Sequence, residues 1–276
     1  MPRYDLHSHS TASDGLLTPT ELVARAAGRG VDVLALTDHD EVAGIAEAQV
    51  AAVEAGVELI PGAELSVTWE GHTVHIVGLN IDPTNPVLTA GLELIRSSRQ
   101  TRARKMADAL AAAGIRGAYE GALKYVTSER LISRTHFARY LVETGRAREV
   151  KDVFNRFLVR GKPGYVPHAW ATLQQAVGWI VAAGGDAVVA HPGRYKVTRT
   201  KLRALLGQFR DAGGTAIEVL SSSHTPAQSA DFANLARAMG LRGSCGSDFH
   251  APGESWMDLG SISHLPPGVT PVWESW

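Results

Sequence analysis

A chain of 276 residues, 45% hydrophobic and 20% charged, is long enough for one large barrel or two smaller domains and too apolar for extended disorder. Its 27 basic and 28 acidic residues leave a formal charge of −1, which excludes a global field for long duplex nucleic acid or an anionic membrane; any anionic partner is held locally. A single cysteine, Cys245, excludes an internal disulfide and a cysteine-rich zinc site, and with neither an apolar signal core at the N-terminus nor a membrane-length apolar run the chain is expected in the cytoplasm.

A short strand over 4–7 opens the chain and gives way to a polar loop. Thr18-Pro19-Thr20-Glu21 then reads as a capping box with proline at the first helical position, starting a helix over 19–27. Residues 31–36 are an apolar run of strand length between Gly30 and Thr37-Asp38-His39-Asp40, and an alanine-rich helix to residue 55 stops at Gly56. A further strand begins over 57–60, and 65–67 with 73–79 alternate about Trp69-Glu70-Gly71-His72, a hairpin turn. Residues 92–160 show helical periodicity, many arginines and little strand character, which predicts a helical insertion docked over one face. The strand–helix rhythm resumes with helices over 173–183, 200–212 and 227–239 and strands over 187–190, 216–220 and 241–245. Such alternation implies a mainly parallel sheet or barrel, here built from 1–91 plus 161–276 with 92–160 capping it.

Eleven histidines stand out, many of them where an apolar run ends. His7 and His9 are two apart at a strand end, so their side chains share one side. Asp14 follows in the same loop, His39 ends the second strand, Glu64 sits in the third strand region and His75 in the hairpin, and His191, Glu218 and the Asp248/His250 pair end later strands, where a βα barrel builds its site. Six histidines and three carboxylates at one mouth are costly without a compensating partner, and metal ions are that partner. Ligation by His, Asp and Glu with no thiolate suits zinc, iron or manganese, and a carboxylate able to bridge suggests a multinuclear centre.

Taken together, Asp5-Leu6-His7-Ser8-His9-Ser10, Thr37-Asp38-His39-Asp40, Gly62-Ala63-Glu64, His75-Ile76-Val77-Gly78, Ala190-His191-Pro192 and Gly246-Ser247-Asp248-Phe249-His250 resemble, in order and over the whole chain, the motifs of the PHP (polymerase and histidinol phosphatase) family. The resemblance implies an α/β fold, a distorted (β/α)7 barrel with a helical insertion, and three divalent metal ions at the strand ends. It implies that His7, His9, Glu64 and Asp248 hold one ion, Asp14, His39 and His250 a second, and Glu64, His75 and His191 a third. Asp14 stands where several branches carry histidine; the harder carboxylate favours manganese, with zinc and iron as alternatives.

Ile132-Ser133-Arg134-Thr135-His136-Phe137-Ala138-Arg139, Gly161-Lys162-Pro163-Gly164-Tyr165-Val166, His191-Pro192-Gly193-Arg194-Tyr195 and Ser221-Ser222-Ser223-His224 are similar to a bacterial branch of that family. The branch implies a metal-dependent phosphatase that removes the 3′-phosphate of 3′,5′-bisphosphonucleotides, such as 3′-phosphoadenosine 5′-phosphate, by water activated at the ions. The alternative on the same site is a 5′-to-3′ exoribonuclease acting on short 5′-phosphorylated RNA. Histidinol phosphate hydrolysis is disfavoured because it needs no second phosphate site, and a non-catalytic metal-binding module because all nine ligands are present.

Arg194, three residues past His191, is expected to pair with the transferred phosphoryl group, and His224 to orient the leaving group. Arg134 and His136 open a helix capped by Ser133 and are expected to read the second phosphate of the substrate. Arg99 and Arg102, three apart on the preceding helix, either face the same cleft or form a solvated basic face. Tyr195 is a candidate for stacking on a base, and Glu218 for holding a ligand histidine from behind. Trp170, Trp179, Trp256, Trp273 and Trp276 are not interleaved with basic residues and read as packing.

Overall fold

The computed structural model describes residues 2–255 and 257–276, so Trp256 lies outside the described residues. Seven strands run in sequence order around one sheet: β1 (Tyr4–Asp5), β2 (Val33–Leu36), β3 (Glu58–Trp69), β4 (His72–Leu79), β5 (Asp186–Val189), β6 (Ala216–Ser221) and β7 (Arg242–Gly246). The sheet is less parallel than the strand–helix alternation predicts. β3 and β4 form a hairpin over Glu70 and Gly71, whose φ values of 45° and 74° are those a two-residue turn between twisted strands requires. β4 therefore runs against both β3 and β5, while the other neighbours are parallel. The two pieces expected over 57–60 and 65–67 are one strand of 12 residues.

Beyond β7 the chain returns to β1. Leu6 N–H donates to the Cys245 carbonyl at 3.0 Å and Asp248 N–H to that of His7 at 2.8 Å, which nearly closes the barrel. A Cβ on Gly246 would lie 2.3 Å from the Cβ of His7, so this approach requires glycine. Leu6, Val33, Ala35, Ile60, Val77, Leu79, Val188 and Ala190 fill the space within, below the polar mouth.

The outer helices are amphipathic and start on strong caps. α1 (Pro19–Gly28) has the expected Thr18/Glu21 capping box, and α2 (Ile45–Ala55) ends on Gly56 in the left-handed region. α3 (Pro86–Ala112) starts earlier than the arginine-rich periodicity predicts, because Asn85 caps it and Pro86 occupies the first turn. Its Leu88 and Leu92 pack into the barrel's outer layer, whereas Ala103, Met106 and Leu110 join a separate cluster of the insertion. That cluster also holds Phe137 and Leu141 of α5 (Arg134–Glu143), with α4 (Ala118–Leu123) and α6 (Val150–Val153) around it. α7 (Leu173–Ala182), α8 (Arg199–Asp211) and α9 (Pro226–Met239) complete the barrel's outer ring. No described helix is long and apolar enough to cross a membrane.

Candidate active site

The barrel mouth collects all nine expected ligands around Glu64. This carboxylate is fully buried in the middle of β3. Its Oε2 lies 3.3 Å from His7 Nε2, 3.4 Å from His9 Nε2 and 2.9 Å from His39 Nδ1. Its Oε1 lies 2.7 Å from His75 Nδ1 and 2.9 Å from His191 Nε2. Asp248 Oδ1 is 3.2 Å from His9 Nε2, and Asp14 Oδ1 is 3.4 Å from His250 Nε2 and 3.9 Å from His39 Nε2. Because β4 is antiparallel, His75 reaches this mouth from the first half of its strand and not from the carboxyl end.

Three groups of donor atoms converge closely enough to share an ion: His7, His9, Glu64 and Asp248; His9, Asp14, His39 and His250; and His39, Glu64 and His75. The first coincides with the expected set. The second adds His9, and the third has His39 where His191 was expected, although His191 Nε2 touches the same Glu64 oxygen. His191 and Asp248 hold φ values of 27° and 53°, in the left-handed region that non-glycine residues occupy at a cost, and the local strain sits at two candidate ligands.

The electrostatics fit cations. His7 Nε2, Asp14 Oδ1 and Glu64 Oε2 are buried without a hydrogen bond. Such atoms are expensive unless an ion satisfies them. Burial opposes ionisation of Asp14, Glu64 and Asp248, yet the surrounding histidines, with Arg194 beside Asp248, hold all three well below the usual carboxylate range. Burial also lowers His39, but Glu64 and Asp14 outweigh it and push that imidazole up to about 9; His9, buried beside His250 and His39, falls to about 3. Nitrogen and oxygen donors without sulfur suit divalent metal ions.

A second layer of carboxylates fixes the first. Glu218 is buried in β6, where its Oε1 accepts the His7 Nδ1–H at 2.5 Å and its Oε2 the His191 backbone N–H at 2.5 Å. Nε2 of His7 is thereby left as the free donor. Asp38 accepts Ser10 N–H, Ser10 Oγ and Ser13 Oγ at 2.6–2.8 Å and folds the loop that bears Asp14. Asp40, at φ 52°, accepts Ser66 N–H and pairs with Arg99. The sequence signals Asp38 and Asp40 only as carboxylates flanking His39; their acceptor roles depend on loops far away in the chain.

From Asp14, His39 and His75 an open cleft extends toward the insertion, lined by Arg99, Arg102, Ser133, Arg134, Phe154 and Trp170. The alternative of a solvated basic face for Arg99 and Arg102 is overturned. Arg99 is 5% exposed, paired with Asp40, and its guanidinium lies 5.0 Å from the Trp170 ring centroid; that of Arg102 lies 5.2 Å from the same ring. Trp170, expected as packing, therefore forms a wall of the cleft. Burial, then Arg134 and Arg99, lower Arg102 to about 9. Arg134 stacks on Phe154 at 5.5 Å, and neither Arg102 nor Arg134 has a carboxylate partner among the described residues. Two guanidiniums without such a partner, beside a third that Asp40 neutralises, leave this cleft suited to an anion.

Three expected roles are corrected by the packing. His136 is fully buried, and its Nδ1 accepts the Ser133 N–H at 3.0 Å; burial lowers it to about 4, so it caps α5 as a neutral ring and does not offer a charge to phosphate. Tyr195 receives the His75 N–H at 2.9 Å and donates to the Ala190 carbonyl at 2.7 Å, with its ring edge-on to His191. It braces β4 and β5 and is not free to stack on a base. His224 Nε2 accepts the Gly193 N–H at 3.2 Å and its Nδ1 donates to the Val219 carbonyl at 3.2 Å, so both nitrogens hold backbone and neither serves a leaving group. Arg194 is 45% exposed at the mouth, with Nη2 2.5 Å from Asp248 Oδ2.

A nearly closed α/β barrel with this mouth defines a metal-dependent phosphoester hydrolase. The PHP domain model matches residues 5–158, more than half of the chain, and the chain belongs to the PHP family. It is 53% identical to the 3′,5′-nucleoside bisphosphate phosphatase of Chromobacterium violaceum, over 99% of this chain and 96% of that one. It is 47% identical to a 5′-3′ exoribonuclease of Haemophilus influenzae, over 99% and 98%. A metal-dependent phosphoesterase structure from Bifidobacterium adolescentis, 28% identical, superposes with a TM-score of 0.81 over 98% of this chain and 92% of that one.

Proposed function

We propose that the chain hydrolyses the 3′-phosphate of 3′,5′-bisphosphonucleotides, 3′-phosphoadenosine 5′-phosphate among them, to a 5′-mononucleotide and inorganic phosphate. One observation carries the reading: the cluster of Arg99, Arg102 and Arg134 opens into the same cleft as Asp14, His39 and His75. A substrate with two phosphates matches a cleft with two places for anions.

In this reading His7, His9, Glu64 and Asp248 hold one ion, Asp14, His39 and His250 a second, and Glu64, His75 and His191 a third, with manganese favoured by Asp14 over zinc or iron. Divalent ions held there neutralise phosphoryl charge and lower the pKa of the attacking water. Glu218 keeps the Nδ1 proton on His7 and so aims Nε2 at the centre. Arg194 keeps donors beyond its contact with Asp248 for the phosphoryl group being transferred. Arg102 and Arg134 receive the 5′-phosphate, while Arg99, fixed by Asp40 and Trp170, shapes the floor. Residues 92–160 act as a cap that brings these arginines to the barrel. The lone buried Cys245 accords with a cytoplasmic location.

Phosphate release from 3′-phosphoadenosine 5′-phosphate is measured with manganese against 3′-AMP, which keeps the scissile group and lacks the 5′-phosphate. The bisphosphate is expected to be turned over far faster, and equal turnover refutes the second anion site. A second reading, stepwise 5′-to-3′ hydrolysis of short 5′-phosphorylated RNA, is supported by the exoribonuclease relative, whose identity is only slightly lower. A 5′-phosphorylated oligoribonucleotide in the same assay separates the two.

A further inference from the structure

The supports behind the candidate ligands come from two parts of the chain. His7 rests on Glu218 of β6, and the Asp248 segment is fastened by Asp5 of β1, whose Oδ1 accepts the Ser247 N–H at 2.8 Å. These supports belong to the barrel. Around Asp14, His39 and His250 the barrel contributes Asp38, which folds the Asp14 loop, and the insertion supplies further supports. Ser133 Oγ donates to Asp14 Oδ2 at 3.0 Å. Arg99 of α3 pairs with Asp40, the residue after His39. Arg139 of α5, 4% exposed, pairs with Glu254 at 2.9 Å, in the turn where Ser255 Oγ accepts the His250 N–H at 2.9 Å.

Ser133 is the most direct of these contacts, and it is held from every side. As N-cap of α5 its hydroxyl accepts the Thr135 N–H at 3.1 Å while donating to Asp14, and its own N–H donates to His136 Nδ1. A hydroxyl has one proton and two lone pairs, so both bonds are made together. The donor engages Oδ2 of Asp14 and leaves Oδ1 facing His39 and His250. Without it the carboxylate must be ordered when an ion binds, at a cost in side-chain entropy.

We propose that the ion position at Asp14, His39 and His250 is assembled across the junction of barrel and insertion, with Ser133 as its positioning residue. Occupancy there depends on how the insertion is docked; occupancy at His7 and Asp248 does not. The proposal rests on the metal-dependent reading above and goes beyond it by making the two positions unequal.

The test titrates manganese alone, without nucleotide, into the metal-free full-length protein and into Ser133→Asp. Aspartate caps a helix as well as serine does but sets a like charge against Asp14, so capping and positioning are separated. One class of ion is expected to bind roughly 10–100-fold more weakly, the usual effect of losing a partner behind a ligand, while the remaining ions keep wild-type affinity. Ser133→Thr, which keeps both cap and donor, is expected to restore the weakened class. The proposal is overturned if Ser133→Asp binds every ion as the wild type does, or if all classes weaken together. Circular dichroism of the metal-free variants checks the fold, and if Ser133→Asp does not fold, Ser133→Ala is judged by the same two outcomes. Failure of the phosphatase reading is seen separately, as wild-type protein that holds its ions and releases no phosphate.

Discussion

The ligands around His7 and Asp248 and those around Asp14 and His250 are the same residue types, yet they stand on different ground. The first group, apart from Glu64 on β3, sits just beyond the ends of β1 and β7, where the two backbones bond to each other directly, and behind it Glu218 is fixed in β6. The second group hangs on loops that Asp38 folds and the insertion braces. A sheet holds side chains rigidly whatever the substrate does; on the proposed reading, the insertion would let the arginines of the cleft and one ion position share a structural element, since Arg134 follows Ser133 directly. Glu64 is where the two groups meet, with Oε2 facing His7, His9 and His39.

That junction is the place to break the comparison most severely. Glu64→Gln alters the carboxylate that lies between His7 and His9 of the first group and His39 of the second, and is expected to lower kcat/KM by on the order of 10³-fold, about 4 kcal/mol of transition-state stabilisation. Manganese titration should show loss from both groups at once. Loss from one group alone would mean that the groups are independent and that Glu64 belongs to only one of them.

Much of this centre is legible in the sequence, and the reason is local. Each ligand motif lies next to an apolar strand, so position along the strand tells which residues reach the mouth, as it does for His7, His9, His191 and Asp248. Strand direction is not written in that pattern. Glu70-Gly71 marks a hairpin, but that β4 then lies antiparallel to β5 depends on the barrel's closure. The arginines were harder still. Arg99 and Arg102 carry the helical spacing of a solvated face, and their burial follows from Trp170, which is 68 or more residues away in the chain and folds over them. The hydroxyl of Ser133 reads as a helix cap, which it is, and nothing nearby in the sequence discloses Asp14 on its other side.

A smaller effect concerns the protons that the ligand histidines carry. In the metal-free protein His39 is raised to about 9, burial being outweighed by Glu64 and Asp14, and it carries a proton near neutral pH; His9, lowered to about 3, carries none. Imidazole must be deprotonated to bind an ion. Manganese binding near neutral pH is therefore expected to release about one proton from His39, in addition to those from other raised histidines, and the release should shrink as pH rises through that value. The sign for stability follows the same shift. The contribution of His39 to the metal-free fold is fully present below its unfolded pKa of about 6.5 and is lost as pH rises through about 9. Calorimetric titration in buffers of different ionisation enthalpy measures the protons. Proton uptake, or none released near neutrality, would contradict a His39 that is charged before the ion arrives.

The least expected effect on chemistry belongs to Tyr195, and it asks whether the barrel-held side is as rigid as its hydrogen bonds suggest. The phenol joins β4 to the end of β5 by receiving the His75 N–H and donating to the Ala190 carbonyl, immediately beside His75 and His191. Tyr195→Phe keeps the ring against His191 and removes only the oxygen, leaving a backbone donor without its partner; such a loss costs roughly 1–3 kcal/mol. Denaturant unfolding of the metal-free variant should show a lower midpoint with an unchanged slope, since the surface exposed on unfolding is the same. KM for the bisphosphate should stay near the wild-type value, because the retained ring leaves the arginine cleft intact. The unfolding midpoint therefore tests the brace made by the oxygen: a midpoint equal to that of the wild type would mean that the phenol does not hold the two ligand strands together.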